Sequence, residues 1–184
     1  MTREVVLARV EEPPFRFFED ADERRTLKAF CDVVTAQDGE PRIPVLGMID
    51  AKFSAGQLDG YQYAGMPDDR DLWRIVARGL DEVASGFAEA TPETQREIVK
   101  RFSKGELKGE AWQSLDVSKA WKVVTRAILA AFYSHPWAWN EIGFGGPAYP
   151  RGYAALGVGK MEGWEPKPAF DLDPVKDVRE RGLE

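Results

Sequence analysis

His135 is the only imidazole in this chain of 184 residues, and Ser134 and Glu141 are the groups near it that could share in chemistry. Adjacency does not make Ser134 a nucleophile, because hydroxyl and base must converge in space with a third group orienting the base. Glu141 is the one nearby acid able to orient the ring. A pocket around His135 and Glu141 that binds or turns over a small molecule such as a sugar is therefore one reading. The other is a polar helix terminus or a contact with a partner.

A lone histidine cannot build a multi-histidine metal site, and neither H-E-x-x-H nor H-x-x-H occurs. Asp50, Asp59, Asp68, Asp69 and Asp71 could tempt a metal assignment. Helix starts and turns, where these residues fall, suit capping and solvation better. Cys31 is the single cysteine, which excludes an internal disulfide framework and a multi-cysteine cluster built by this chain alone. Beside Phe30 and Val34 it reads as a buried structural thiol. No catalytic, cofactor-binding or metal-ligating residue is assigned.

Two glycine-rich stretches resemble nucleotide loops and fail as such. "GFGGPA", residues 143–148, fits G-x-G-x-x-A but follows a helix where a strand is required. "GVGKM", residues 157–161, lacks the Ser or Thr after its lysine, and Ala154 stands where the first glycine belongs. Neither gives the chain a means of holding FAD or NAD.

The elements that carry these residues are helical. Asp20 caps a first helix, with Glu23 completing a capping box and Leu27, Phe30, Cys31 and Val34 forming one stripe. A second, short helix opens at Pro44 with Ile49 and Phe53 inward and ends between Gly56 and Gly60; "YQYAGMP" follows as a turn. The third and strongest carries Leu72, Ile75, Val76, Leu80, Val83 and Phe87, with Gly79 and Gly86 marking close packing. Thr91 and Pro92 start a fourth, burying Ile98, Val99 and Phe102. After a loop over residues 103–115, a fifth presents Val117, Trp121, Val124, Ile128 and Phe132 on one side, and His135-Pro136 stops it.

No alternating run argues for a strand. The expectation is an all-α domain, an irregular bundle of about five helices over residues 20–156. An extended N-terminal arm, residues 1–19, precedes it and a C-terminal tail, residues 157–184, follows. The composition, 43% apolar and 30% charged, is that of a globular chain. A net charge of −6 argues against nucleic acid, which demands a basic face. No apolar run reaches the ~20 residues of a membrane span. The N-terminus has neither a long apolar stretch nor a paired-arginine motif, so a cytoplasmic location is expected. The alternative is periplasmic, by export with a signal-bearing partner.

The stretch "AFYSHPWAWNEIGFGGPAYPRGY", residues 131–153, resembles the closing pattern of the small subunit, subunit 3 or gamma, of gluconate 2-dehydrogenase-type flavoenzymes. That pattern is an aromatic helix end, a proline, a Trp-Asn or Gly-Asn element, "IG" and then "GP". "RRTLKAFCDVVTAQDGEPRIP" is similar to the family's first helix and its proline-ended loop, and "GMIDAKF" to the segment after it. The resemblance spans roughly residues 18–153. It implies a non-catalytic accessory subunit that assembles with and stabilises a large flavoprotein of the glucose–methanol–choline type. That partner would hold FAD and oxidise a sugar, sugar acid or polyol, and a cytochrome c subunit is a further partner the resemblance allows.

The physical reading of the stretch agrees with that role. Rigid Trp and Tyr side chains lose little entropy on docking, and Gly and Pro pre-shape an irregular loop. The expected partner-interface positions are Tyr133, His135, Trp137, Trp139, Asn140, Phe144, Pro147, Tyr149 and Tyr153. Gly143, Gly145 and Gly146 would permit the backbone path. Two rivals stand beside this reading. In one, the aromatics fold back into the domain's own core. In the other, the chain is a helical scaffold unrelated to redox chemistry.

Overall fold

A computed structural model describes residue 10 and residues 12–58 and 60–142. Among them are six α-helices and no strand. Asp20 starts α1 (Ala21–Val34), its carboxylate accepting the N–H groups of Asp22 and Glu23 at 2.9 and 2.8 Å. The buried stripe is Thr26, Leu27, Phe30 and Cys31. Thr35 ends the helix, donating both its N–H and its hydroxyl to the Cys31 carbonyl.

The connecting loop is clamped by Gln37, whose amide oxygen accepts from the Ile43 N–H while its NH2 donates to the Ile43 carbonyl. Pro44 then precedes α2 (Val45–Ser54), and Asp68 caps α3 (Asp69–Ala84). Thr91 caps α4 (Pro92–Ser103), with Pro92 in its first turn. α5 spans Val117–Phe132 and α6 spans Pro136–Glu141. Pro13–Ala131 forms one compact unit, and the described residues from Phe132 onward belong to another.

Within the first unit α1 is the common neighbour, packing on α2, α3 and α4, while α3 also packs on α4. Its core is aromatic. Phe30 lies 5.8 Å from Phe102 and 6.4 Å from Trp121, ring centre to ring centre, and Phe102 also meets Trp112 at 5.0 Å. Gly79 makes room for that indole: a Cβ there would lie 2.7 Å from Trp112 Nε1, which donates to the Gly79 carbonyl at 3.2 Å. Close packing at Gly79 is thus as expected.

The third helix is shorter than its periodicity predicts. Ser85, in the left-handed region at φ 52°, breaks it before Phe87. Phe87 is buried all the same, because Asp81 accepts its N–H at 2.9 Å and folds the turn back. Asp81 also takes the Thr26 hydroxyl at 2.8 Å, tying the end of α3 to α1.

Asp50 corrects the reading that it serves capping and solvation. It is fully buried within α2, and its carboxylate accepts the backbone N–H groups of Arg16, Phe17 and Phe18 at 2.8, 3.0 and 2.8 Å. A buried carboxylate needs such partners, and here they come from part of the segment expected as an arm. The result seats Phe18 in a second aromatic cluster with Phe17, Phe53 and Trp73. Asp68 does cap, and Asp69 and Asp71 lie in the first turn of α3, as expected; Asp59 lies outside the described residues.

Asp50→Ala strips three backbone donors of their buried acceptor and should cost about 3 kcal/mol in urea unfolding at unchanged slope. Ser54→Ala, which removes only a hydroxyl bonded to the same residue, serves as the mild comparison. Equal midpoints for the two would disprove the anchoring role.

Asp68 carries a pH dependence. The Arg70 side chain beside it holds its carboxyl below the usual aspartate range. A folded value lower than the unfolded one stabilises at neutral pH, and that contribution disappears as pH falls through the lowered value. Asp68→Ala should cost about 1 kcal/mol at pH 7. The difference from the parent should close on acidification, as followed by thermal melts across pH; a gap independent of pH would contradict this.

Candidate partner-binding surface

The helix α5 does not simply stop at His135-Pro136. It closes at Phe132, whose carbonyl accepts the His135 N–H at 3.0 Å, and Pro136 opens a further short helix. Proline suits that first position because its missing N–H would have had no helical partner. His135 Nδ1 accepts the Trp137 N–H at 3.2 Å, so the imidazole acts as the cap of α6. Accepting at Nδ1 places the proton of the neutral ring on Nε2. Trp139 Nε1 donates to the Tyr133 carbonyl at 2.9 Å, and the His135 and Trp137 rings lie 4.9 Å apart.

The expected interface positions therefore divide. His135 and Trp139 are buried and shape the turn, whereas Trp137 is half-buried and Tyr133 is 47% exposed. Ile142, which the sequence reading passed over, is also exposed. Asn140 and Glu141 close the backbone of α6. Gly143, Phe144, Gly145, Gly146, Pro147, Tyr149 and Tyr153 lie outside the described residues.

A second surface was not singled out from the sequence. Between α2 and α5 runs a groove of about 240 Å³ whose lining is largely apolar, with Ile49, Phe53 and Leu58 on one side and Val123, Ala127 and Ala130 on the other. The loop after α2 borders it. Gly56, at φ 66°, turns the chain out of the helix, and the loop then presents Tyr61 against Tyr63, ring centres 5.1 Å apart. The Arg126 guanidinium of α5 lies 5.1 Å from the Tyr61 ring centre. The signal available beforehand was a Tyr-x-Tyr pair between glycines, read only as a turn.

Elsewhere, charge serves structure. A trough of about 620 Å³ near α1 and α4 contains Arg25, Arg42 and Arg96. These pair with Glu89 at 2.7 Å, Asp32 at 2.6 Å and Asp38 at 3.7 Å. Burial pushes the Asp32 carboxyl above its usual range, outweighing the Arg42 guanidinium that draws it down. Burial, with Asp32 beside it, also raises the Cys31 thiol well above its ordinary value, which keeps the sulfur protonated and unreactive. Among the described residues no group of three or more His, Cys, Asp or Glu side chains could hold a metal. No described helix is long and apolar enough to cross a membrane.

Comparison with family models gives a match to gluconate 2-dehydrogenase subunit 3 over residues 21–146. The chain belongs to this family. No curated protein and no solved structure matches it. The subunit 3 match begins at the first residue of α1 and runs through α6, so it takes in both the groove beside α5 and the His135 turn. Membership bears out the resemblance drawn mainly from residues 131–153 and carries the small-subunit oxidoreductase context of the family's description.

The cap assigned to His135 distinguishes two substitutions. His135→Ala should lose about 1 kcal/mol of local stability, read as faster amide exchange at Trp137, while His135→Asn, whose side-chain oxygen can accept the same N–H, should retain most protection. Equal exchange in the two variants would refute the capping role.

Proposed function

We propose that this chain is a non-catalytic small subunit that assembles with and stabilises a large FAD-dependent dehydrogenase of the glucose–methanol–choline type. The partner would hold the FAD and oxidise a sugar, sugar acid or polyol. The family match over residues 21–146 is the observation that carries this reading. The disposition of the chain's own reactive groups agrees with it. The His135 imidazole is buried and its Nδ1 is committed to the Trp137 N–H, and the Cys31 thiol is buried and held protonated.

What the subunit offers is a pre-shaped face. Tyr133 stands exposed at the end of α5, next to a turn fixed from within by His135 and Trp139. A rigid aromatic held this way docks with little loss of conformational freedom, and Tyr is among the residues enriched at interfaces. Binding to the folded flavoprotein then stabilises it by mass action, by about 2.7 kcal/mol at a subunit concentration 100 times the Kd.

Co-expression with a flavoprotein encoded beside this chain should yield a stable heteromeric complex carrying the flavin absorbance, with a higher melting temperature than the large subunit alone. A large subunit that is equally soluble, equally flavin-loaded and equally stable without this chain would overturn the proposal.

A further inference from the structure

Residues 13–18 lie over α2 as a non-helical strap, and the surface that holds them has the composition of a peptide site. A bound peptide needs acceptors for its N–H groups, donors for its carbonyls and a slot for a side chain. All three are present. The strap bends so that the N–H groups of Arg16, Phe17 and Phe18 converge on the Asp50 carboxylate, the way successive backbone donors surround an anion. Arg24 donates to the carbonyls of Phe18 and Glu19. Phe53 and Trp73 flank the Phe18 ring, with centres 6.1 and 6.2 Å away.

The strap can leave this seat without the helices. Of residues 13–18 only Phe18 is buried; Pro14 and Arg16 are exposed, and Pro13, Phe15 and Phe17 are half-buried. Its three N–H bonds end on one carboxylate, so they are made and lost together. Pro13 is the first residue of the compact unit, and the family match starts beyond the strap, at residue 21. Next to Phe18 the Trp73 indole is fully buried, and among the described residues no acceptor meets its Nε1. A buried donor without a partner is costly, and lifting Phe18 brings water to it, which offsets part of the cost of opening. The Phe53 and Trp73 rings, 6.3 Å apart, are carried by α2 and α3, so the slot remains when the strap has gone.

We propose that this seat is a peptide-recognition site occupied in cis by the chain's own strap, which opens as a unit while the helices stay folded and admits a segment of a partner protein in its place. The strap itself defines that segment: a bend that turns successive N–H groups toward Asp50 and carries two adjacent aromatic side chains. The second ring enters the slot between Phe53 and Trp73. The first lies against the Arg74 guanidinium, as Phe17 does at 4.5 Å from its ring centre. Arg24 takes the carbonyl that follows. The site stands apart from the accessory-subunit reading and does not depend on it.

Two measurements on the full-length chain test this. In native-state hydrogen exchange, the N–H groups of Arg16, Phe17 and Phe18 should open together, about tenfold or more as often as that of Phe30 in α1. Strap amides that exchange only when Phe30 does overturn the proposal. The second measurement is uptake of a fluorescently labelled peptide with the strap's own sequence, residues 12–19. In the parent this probe competes with a strap tethered at an effective concentration of about millimolar, so it binds weakly. Phe17→Ala removes a half-buried ring from the strap and leaves the slot intact, and it should tighten uptake by about tenfold. Peptide carrying Phe18→Ala should lose that gain, as should a chain carrying Asp50→Asn beside Phe17→Ala. Circular dichroism establishes that each chain folds, and Arg16→Pro, which deletes one donor from an exposed position, replaces Phe17→Ala if that variant does not. A folded strap variant that takes up no more peptide than the parent, or takes up the Phe18→Ala peptide equally well, overturns the site.

Discussion

A carboxylate taken out of water must be met by donors, and in this chain Asp50 meets that requirement with the backbone N–H groups of Arg16, Phe17 and Phe18. The local architecture follows from it. The chain entering from the N-terminal side is fixed across α2, Phe18 is carried into the cluster with Phe53 and Trp73, and Arg24 completes the join by donating to the carbonyls of Phe18 and Glu19 at 2.8 and 2.7 Å. The same helix supplies Ile49 and Phe53 to the groove facing α5. One side chain thereby orders the entering segment, the second aromatic cluster and one wall of the groove facing α5.

Much of the fold was legible because it rests on local rules. The stripe of Leu27, Phe30 and Cys31, the caps at Asp20, Asp68 and Thr91, and the run from Val117 to Phe132 announce their helices by period and by terminus. The failures have a common cause. Val83 and Phe87 continue the apolar spacing of α3, so nothing in that spacing shows the break at Ser85, which depends on Asp81 folding the turn back. Asp50 shares a helical face with Leu46, Ile49 and Phe53, so its position was readable. Its partners, more than thirty residues away in sequence, were not.

The candidate site divides along the same line. Residue type singled out the stretch around His135, part of which lies within the residues the family match covers. Residue type alone could not separate the side chains that build the turn from those that face outward. Pro136 was read as a stop because proline ends helices; its equal fitness for opening one became visible only with His135 Nδ1 on the Trp137 N–H. Tyr61 was passed over because a loop gives no period from which to infer a face. Its significance comes from Arg126, which lies far along the chain.

Gly79 and Trp112 have a consequence for how sequences of this kind can drift. The indole occupies the space a methyl group would need and donates to the glycine's own carbonyl, so the two positions behave as a lock and its key. Neither can be exchanged alone without a clash or a hole. A descendant that shrinks the ring frees the glycine to become alanine, and the pair is expected to change hands together across lineages.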